Sequence, residues 1–556
     1  MPESKSKFLV PVISTAIVVA GGIAAYVYFK APSGDVSSPL GSAKVVPANA
    51  LMATYINTDS QSWSKLQQFG TPQAQQLVAK GLQDINKQLL SDSNIVYETD
   101  IKPWIGGVMI AVLPPNSTIP NPSNPPIPVQ PEPNILLVVG IKDKLNALKF
   151  ATKLKEQKNL QIQESEYKGE KIIASTSRSK STYIVILNNT RILLTPEKQA
   201  VEKAIDTYKG KLSFANKEGA SSILAKGVDV QNSLAHIYVP DYANIAQQLT
   251  AFNPQSRPLP PETLAQLKQV KSMVAAVGVD DAGVRMKVVV NLDPQLNKFQ
   301  YQNTPAKIVA QFPSDTFALV TGQNINRSWQ TFLELSKDYP EIKQGVEQAR
   351  GQLKQGINLD LDKEIFGWMD QEFALGAVKY SQGWLANVGF GGAMVFDTSD
   401  RKTAEATFTK LDDLAKKQSL NITKRSIGGK NITEWQISQQ GTFIAHGWLD
   451  QDTVFLAIGG PVGEALADKK GRTLDNTNTF KAVTSSLQKP NGGYLYLDLE
   501  NTSSLITRLA TQGQPLPPEA KAVLSSIRGL GVTVNSPDKS TSQMEMLLAL
   551  KPSSSK

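Results

Sequence analysis

From Phe8 to Phe29 the chain reads FLVPVISTAIVVAGGIAAYVYF, twenty-two residues without a charge. As a helix this run spans about 33 Å, close to the hydrocarbon core of about 30 Å, so the pattern predicts a transmembrane helix over 8–29. Lys5 and Lys7 precede it and Lys30 follows, and the positive-inside rule then sets 1–7 as a cytoplasmic tail. Tyr26 and Tyr28 fall at the far interface, and Gly21-Gly22 permits a close helix contact, which leaves a homo-oligomer open. The competing reading is a cleaved signal peptide with Gly22-Ile23-Ala24 as its small-x-small site. Both readings export the body of the chain, and the Pro/Gly/Ser-rich stretch within 30–44 becomes a flexible linker.

Past the linker the pattern changes period. Apolar residues recur at spacings of three and four at Ala74, Leu77, Val78, Leu82, Ile85 and Leu89, and again at Val346, Ala349, Leu353 and Ile357, which predicts two amphipathic helical stretches. The runs VMIAVL, ILLVVGI, KIIAS, TYIVIL and RILLT predict strands, interrupted by a helical stretch at Lys144 to Gln157. Strands clustered with helices between only some of them favour an α+β fold with mainly antiparallel sheets over a doubly wound parallel one.

The pattern also occurs twice. Pro47 and Trp63 stand sixteen positions apart, as do Pro313 and Trp329, and each tryptophan follows a serine. A second tryptophan follows in each copy, Trp104 in DIKPWIGGVMIAVL and Trp368 in EIFGWMDQEFALGAV. Near the close, Pro258-Leu259-Pro260-Pro261-Glu262 recurs as Pro515-Leu516-Pro517-Pro518-Glu519. Two tandem domains are therefore expected at 45–298 and 308–552, with Trp63, Trp104, Trp329 and Trp368 as their structural anchors. The copies differ at 113–134, where the first carries nine prolines in twenty-two residues and the second only a short turn near Tyr380 to Gly383. Such density cannot pair as a central strand, so Pro114, Pro120, Pro125, Pro126, Pro128 and Pro131 are either a polyproline docking loop for a partner or a solvated hairpin loop.

Composition narrows the chemistry. The 556 residues contain no cysteine and two histidines, His236 and His446, which removes thiolate chemistry and leaves little for acid–base work near neutral pH. No GxSxG, HExxH, GxxxxGK[ST] or GxGxxG pattern is present. Ser177-Arg178-Ser179-Lys180 has SxxK spacing without its companion elements, and Gly428-Gly429-Lys430 reads as a hairpin turn. Asn358, Asp360, Asp362 and Glu364 alternate like a calcium loop, but Lys363 stands where Gly is needed, so they read as capping acids. No catalytic, cofactor or metal residue is assigned. The net charge of +9 is scattered and not gathered into a stripe, which gives no reason to expect nucleic acid.

The VPANALMATYINT opening with Trp63, the DIKPWIGG element around Trp104, the two PLPPE elements and the apolar N-terminal segment together resemble a family of uncharacterised cyanobacterial single-pass membrane proteins carrying a domain of unknown function. The resemblance implies an envelope or thylakoid setting and no reaction. The expected function is a membrane-anchored scaffold of the cell envelope acting through protein–protein contacts, in septal or cell–cell junction machinery. Its body is expected in the periplasm, with the thylakoid lumen as second choice. The alternative is a binding protein for an apolar ligand, lipid or pigment. An exported hydrolase using carboxylates alone ranks last.

Overall fold

The computed structural model describes residues 38–77, 80, 96–114, 134–155, 161–177, 180–217, 220–251, 259–382, 385–386, 388–468, 471–511 and 514–553. The chain divides into two units. The first takes the described residues through Gln68, then Pro72–Asp280 and Met286–Asp293; the second takes Phe69–Thr71, Asp281–Arg285 and the chain from Pro294 onward.

In the first unit the elements run β1 (Met52–Ile56), β2 (Ile105–Leu113), β3 (Asn134–Ile141), α1 (Lys144–Lys155), β4 (Gln161–Tyr167), β5 (Glu170–Ser177), β6 (Lys180–Leu187), β7 (Arg191–Thr195), α2 (Lys198–Tyr208), β8 (Ser233–Val239), α3 (Tyr242–Ala251), β9 (Val270–Val279) and β10 (Gly283–Leu292). The second unit has β11 (Thr316–Gln323), α4 (Ile325–Ser336), α5 (Pro340–Ile357), β12 (Glu372–Lys379), β13 (Phe390–Asp397), α6 (Arg401–Lys417), β14 (Asn421–Ile427), β15 (Lys430–Ile437), β16 (Gly441–Trp448), β17 (Thr453–Ile458), α7 (Gly460–Ala467), α8 (Asn478–Thr484), β18 (Tyr494–Asp498), β19 (Ile527–Asp538) and β20 (Thr541–Leu550).

The strand order across the first unit is β10-β9-β8-β1-β2-β3-β7-β6-β5-β4. Across the second it is β20-β19-β18-β11-β12-β13-β17-β16-β15-β14, the same order position by position. The registered pairs are antiparallel in both. A π-helical turn stands before β2 at Tyr97–Ile101 and before β12 at Leu361–Ile365. The connection from β12 to β13 is longer than the turn expected near Tyr380 to Gly383: Tyr380 N donates to Gly389 O at 3.0 Å, and Leu385 between them is buried.

Each sheet buries both faces, because side chains alternate along a strand. In the first unit Met109, Ala111, Leu136 and Val138 meet α2, while Leu137 and Ile141 meet Phe150 of α1 and Trp104. In the second, Leu319, Ala374, Ala393 and Val395 pack with α7 and α8, and Phe396 and Val454 on the other face pack with Phe408 of α6 and Trp368.

The N-terminal transmembrane helix in the expected fold class is corrected here. Residues 8–29 lie outside the described residues, and among the described residues no helix is long and apolar enough to cross a membrane. The eighteen-residue α5 carries Glu341, Lys343, Glu347, Arg350 and Lys354 along its length, whereas a span needs about 20 mainly apolar residues. Mixed helices and antiparallel sheet remain. Most of the amphipathic run Ala74–Leu89 also lies outside the described residues.

One half-buried carboxyl makes stability depend on pH. Asp397 sits opposite Thr453 in the β13–β17 ladder. Burial first, then the negative charges of Glu372, Asp452 and Asp450, push it up to about 6, against a 2.8 Å bond donated by the Thr453 hydroxyl. A carboxyl held more tightly protonated in the folded state than its ordinary 3.8 stabilises the fold at low pH, and that contribution fades as pH rises through about 6. Urea midpoints of wild type and Asp397→Asn are expected to show wild type losing about 2–3 kcal/mol more than the variant between pH 4 and pH 7.5. Parallel pH profiles would remove Asp397 as the cause.

Candidate functional site

The open part of the second unit's sheet begins where α6 stops covering it. Leu319 and Ala374 face the core, so their neighbours Val320 and Leu375 face the other side. Register sets Leu495 of β18, Val320 of β11 and Leu375 of β12 directly opposite one another. This row is 43%, 43% and 40% exposed, and Val532 of β19 extends it opposite Leu495. Single exposed aliphatics are ordinary, whereas a contiguous row is a candidate binding surface.

A cleft of about 370 Å³ lies between Val320, Leu495 and Val532 of this row and the strap Lys298–Gln302 that leads into the unit. That volume lies within the range of small-molecule sites. Phe299 and Tyr301 line it from the strap, their rings edge to face at 4.8 Å, and Asn324, Arg327 and Ser328 line it from the start of α4. Hydrogen bonds hold the strap in place. Asn297 Nδ2 donates to Lys539 O at 2.9 Å, Tyr301 N to Ser536 Oγ at 3.3 Å, and Thr304 N to Asn491 O at 2.8 Å.

The floor depends on one glycine. Gly493 has φ +123°, and an added Cβ would stand 2.1 Å from Thr321 O. Its N–H donates to Asn491 Oδ1 at 3.0 Å and its carbonyl accepts from Thr533 Oγ1 at 2.7 Å, while Tyr494 N donates to Thr321 Oγ1 at 2.9 Å. A residue with a side chain would have to break this closure.

A second, more polar cavity of about 510 Å³ shares Lys298, Phe299, Gln300, Arg327 and Thr331 with the cleft and adds Glu334 and Lys539. Glu334 is bonded to Lys337, which first of all holds its carboxyl below the usual range, with Lys298 adding its charge. Among the described residues, Lys298, Arg327 and Lys539 have no carboxylate within ion-pair distance. The junction of the two cavities is therefore positive.

The matching face of the first unit is more covered. Thr54 takes the place of Val320, opposite Ile237 and Ile110, and all three are half-buried. Ile237 packs in a cluster with Leu51, Val239 and Ile245 beneath α3.

The residues singled out from sequence lie elsewhere. Trp104 and Trp368 are 3% and 2% exposed, each following its π-helical turn with its indole N–H donating to the carbonyl four residues back, Asp100 O at 2.7 Å and Glu364 O at 2.9 Å. Trp63 departs from the expected anchoring role. It is 39% exposed, because its helix ends at Ser64, and its Nε1 reaches Asn57 O at 2.6 Å. Trp329 is half-buried, stacked on Phe332 and Phe366 at 5.4 and 4.3 Å. Pro114 ends β2 and its carbonyl accepts from Asn134 Nδ2 at 3.2 Å; Pro120, Pro125, Pro126, Pro128 and Pro131 lie outside the described residues.

The calcium-like acids are engaged with protein groups. Asp360 accepts from Asp362 N and Lys363 N, both at 3.0 Å, Asp362 takes Trp329 Nε1 at 2.7 Å and Arg350 at 2.8 Å, and Glu364 takes Lys410. Among the described residues no group of three or more acidic or histidine side chains could hold a metal. His446 Nε2 lies 2.7 Å from Asp412 Oδ1, which also accepts from Trp435 Nε1 at 2.6 Å. His446 is buried against Phe408, with ring centroids 4.7 Å apart, so this pair belongs to the core. His236 meets Ser233 Oγ at 3.3 Å on β8, a strand position unlike that of His446 on β16. Ser177 and Lys180 close the β5–β6 hairpin, and Gly428 and Gly429, at φ +56° and +76°, turn β14 into β15.

Compared with known proteins, residues 12–550 match the family described as "Protein of unknown function (DUF3352)". The chain belongs to this family. No curated protein matches the chain. Among solved structures, crystal form IV of TP0453 is similar at TM-score 0.25 and 9% identity, covering 45% of this chain and 79% of that one. Crystal form I of TP0453 gives 0.24 and 8%, covering 45% and 78%. Likeness at that level carries no conclusion about fold or function. The family description assigns no reaction, so the cleft must be read from its own residues. Sequence reasoning passed over it because the strap falls between the two expected domains, 45–298 and 308–552, beside a short link placed around Gln302 to Pro305. The alternation KFQYQ from Lys298, with an aromatic at every second position, was the available signal.

Proposed function

We propose that the chain is a non-catalytic binding protein whose second unit takes an apolar guest in the cleft beneath the strap. The observation that carries this is the apolar floor of Val320, Leu495 and Val532 facing the aromatic rings of Phe299 and Tyr301. Filling the cleft would remove that apolar surface from water at about 25 cal/mol per Å², which is the available driving force. The neutral dye Nile red tests it on the full chain. Leu495→Asp is expected to weaken dye binding about tenfold or more, because a carboxylate in the floor loses its hydration when the guest enters. Leu212→Asp, at the 73% exposed Leu212 of the first unit, serves as control and is expected to leave binding unchanged. Equal loss in both variants, or none in either, would refute the site.

The shared strand order and the paired motifs also support reading the two units as a duplication. A scaffold role in a cyanobacterial envelope is the second reading. It rests on the sequence resemblance and on the presence of two like units that could present two docking surfaces on one chain. Recovery of a fixed set of envelope proteins with the tagged chain would favour it over the ligand-binding reading.

A further inference from the structure

Taking the cleft as an apolar site, we propose that its guest is a single-chain anionic amphipath, a molecule with one alkyl chain and a carboxylate or phosphate head. The two cavities divide the work by chemistry. The first is lined by Val320, Leu495, Val532 and the strap's aromatic rings, and its volume of about 370 Å³ suits one alkyl chain. The second is polar and meets the first at Lys298 and Arg327, which line both.

A chain seated on the apolar floor thus brings its head to the two cations, with Lys539 also lining the polar cavity. Glu334 is the carboxylate there, and its bond to Lys337 offsets its charge, so the head meets net positive potential. Arg327 presents a planar donor fork suited to two oxygens of one anion, and its backbone N–H is held at 2.8 Å by the capping Asn324 side chain. A neutral head would leave these cations without a partner, and a cationic head would be repelled.

Isothermal titration of the full chain decides this, using sodium dodecanoate, dodecyl phosphate, dodecan-1-ol and dodecyltrimethylammonium below their micellar concentrations. The two anions are expected to bind at least about tenfold more tightly than the alcohol, with the ammonium weakest, and raising salt should narrow the gap. Lys298→Gln combined with Arg327→Gln should bring dodecanoate down to the level of dodecanol. Equal affinity for dodecanoate and dodecanol, or a preference that survives the double substitution, overturns the head assignment while the apolar site stands. Failure of every alkyl probe to bind, or binding unaffected by Leu495→Asp, overturns the cleft itself. The ratio of phosphate to carboxylate affinity then tells a lysophospholipid-like head from a fatty-acid-like one.

Discussion

Trp368→Ala is expected to destabilise the second unit by about 3–5 kcal/mol, the usual loss for emptying a buried tryptophan site. The ring packs edge-on to Phe396 at 5.5 Å and beside Phe408 at 6.1 Å, so its removal opens a void between the sheet and α6. Its backbone carbonyl also accepts from the buried Thr398 hydroxyl at 2.6 Å, and its indole closes the π-helical turn, so the segment cannot collapse freely into the space. Trp104→Ala is expected to act alike on the first unit, where the ring stacks on Phe150 at 5.3 Å. Trp63→Ala, at a position 39% exposed, should change stability by no more than about 1 kcal/mol. Urea unfolding of the three variants checks this, and equal losses at Trp63 and Trp368 would contradict the burial described.

Arg285→Ala is expected to have an effect of similar size by a different route. Arg285 and Glu545 form an ion pair in which the side chains are 8% and 5% exposed. Arg285 Nη2 also donates to Ser486 Oγ at 2.8 Å, and Glu545 Oε2 accepts from Gln488 N at 2.7 Å. Removing the guanidinium strands a carboxylate where water does not reach, which costs about 3–5 kcal/mol. Replacing both partners, Arg285→Met with Glu545→Leu, removes the stranded charge and should recover most of that loss. A double variant no more stable than Arg285→Ala would mean that the pair's hydrogen-bonded frame, and not its charge, holds the region.

Much of the sheet was legible because strand and helix periods differ. Short apolar runs rich in β-branched residues, such as VMIAVL and TYIVIL, became parts of β2 and β6, and the helical stretch from Lys144 became α1. Paired motifs pointed to two units, but their common strand order follows from pairings between distant segments, which local pattern does not contain. The two tryptophan pairs mark the limit of motif matching. Trp63 and Trp329 occupy matching sequence positions, yet α4 continues to Ser336 and brings Phe332 under Trp329, while the first unit's helix gives way at Lys65–Gln68 to a tighter turn. A motif preserved its residue while the environment around it changed.

The cleft was hidden for a similar reason. Val320, Leu495 and Val532 come from three different strands, and each alone reads as an ordinary strand residue. The register of β11, β18 and β19 sets them side by side. The long uncharged apolar run at 8–29 lies outside the described residues.

The most direct test is amide hydrogen exchange of the full chain with and without saturating sodium dodecanoate. The account predicts new protection confined to the strap at 298–302, to 320–324 at the end of β11, and to 492–495 at the start of β18. Dodecanoate binding with exchange unchanged at these segments, or protection appearing in the first unit instead, would contradict it.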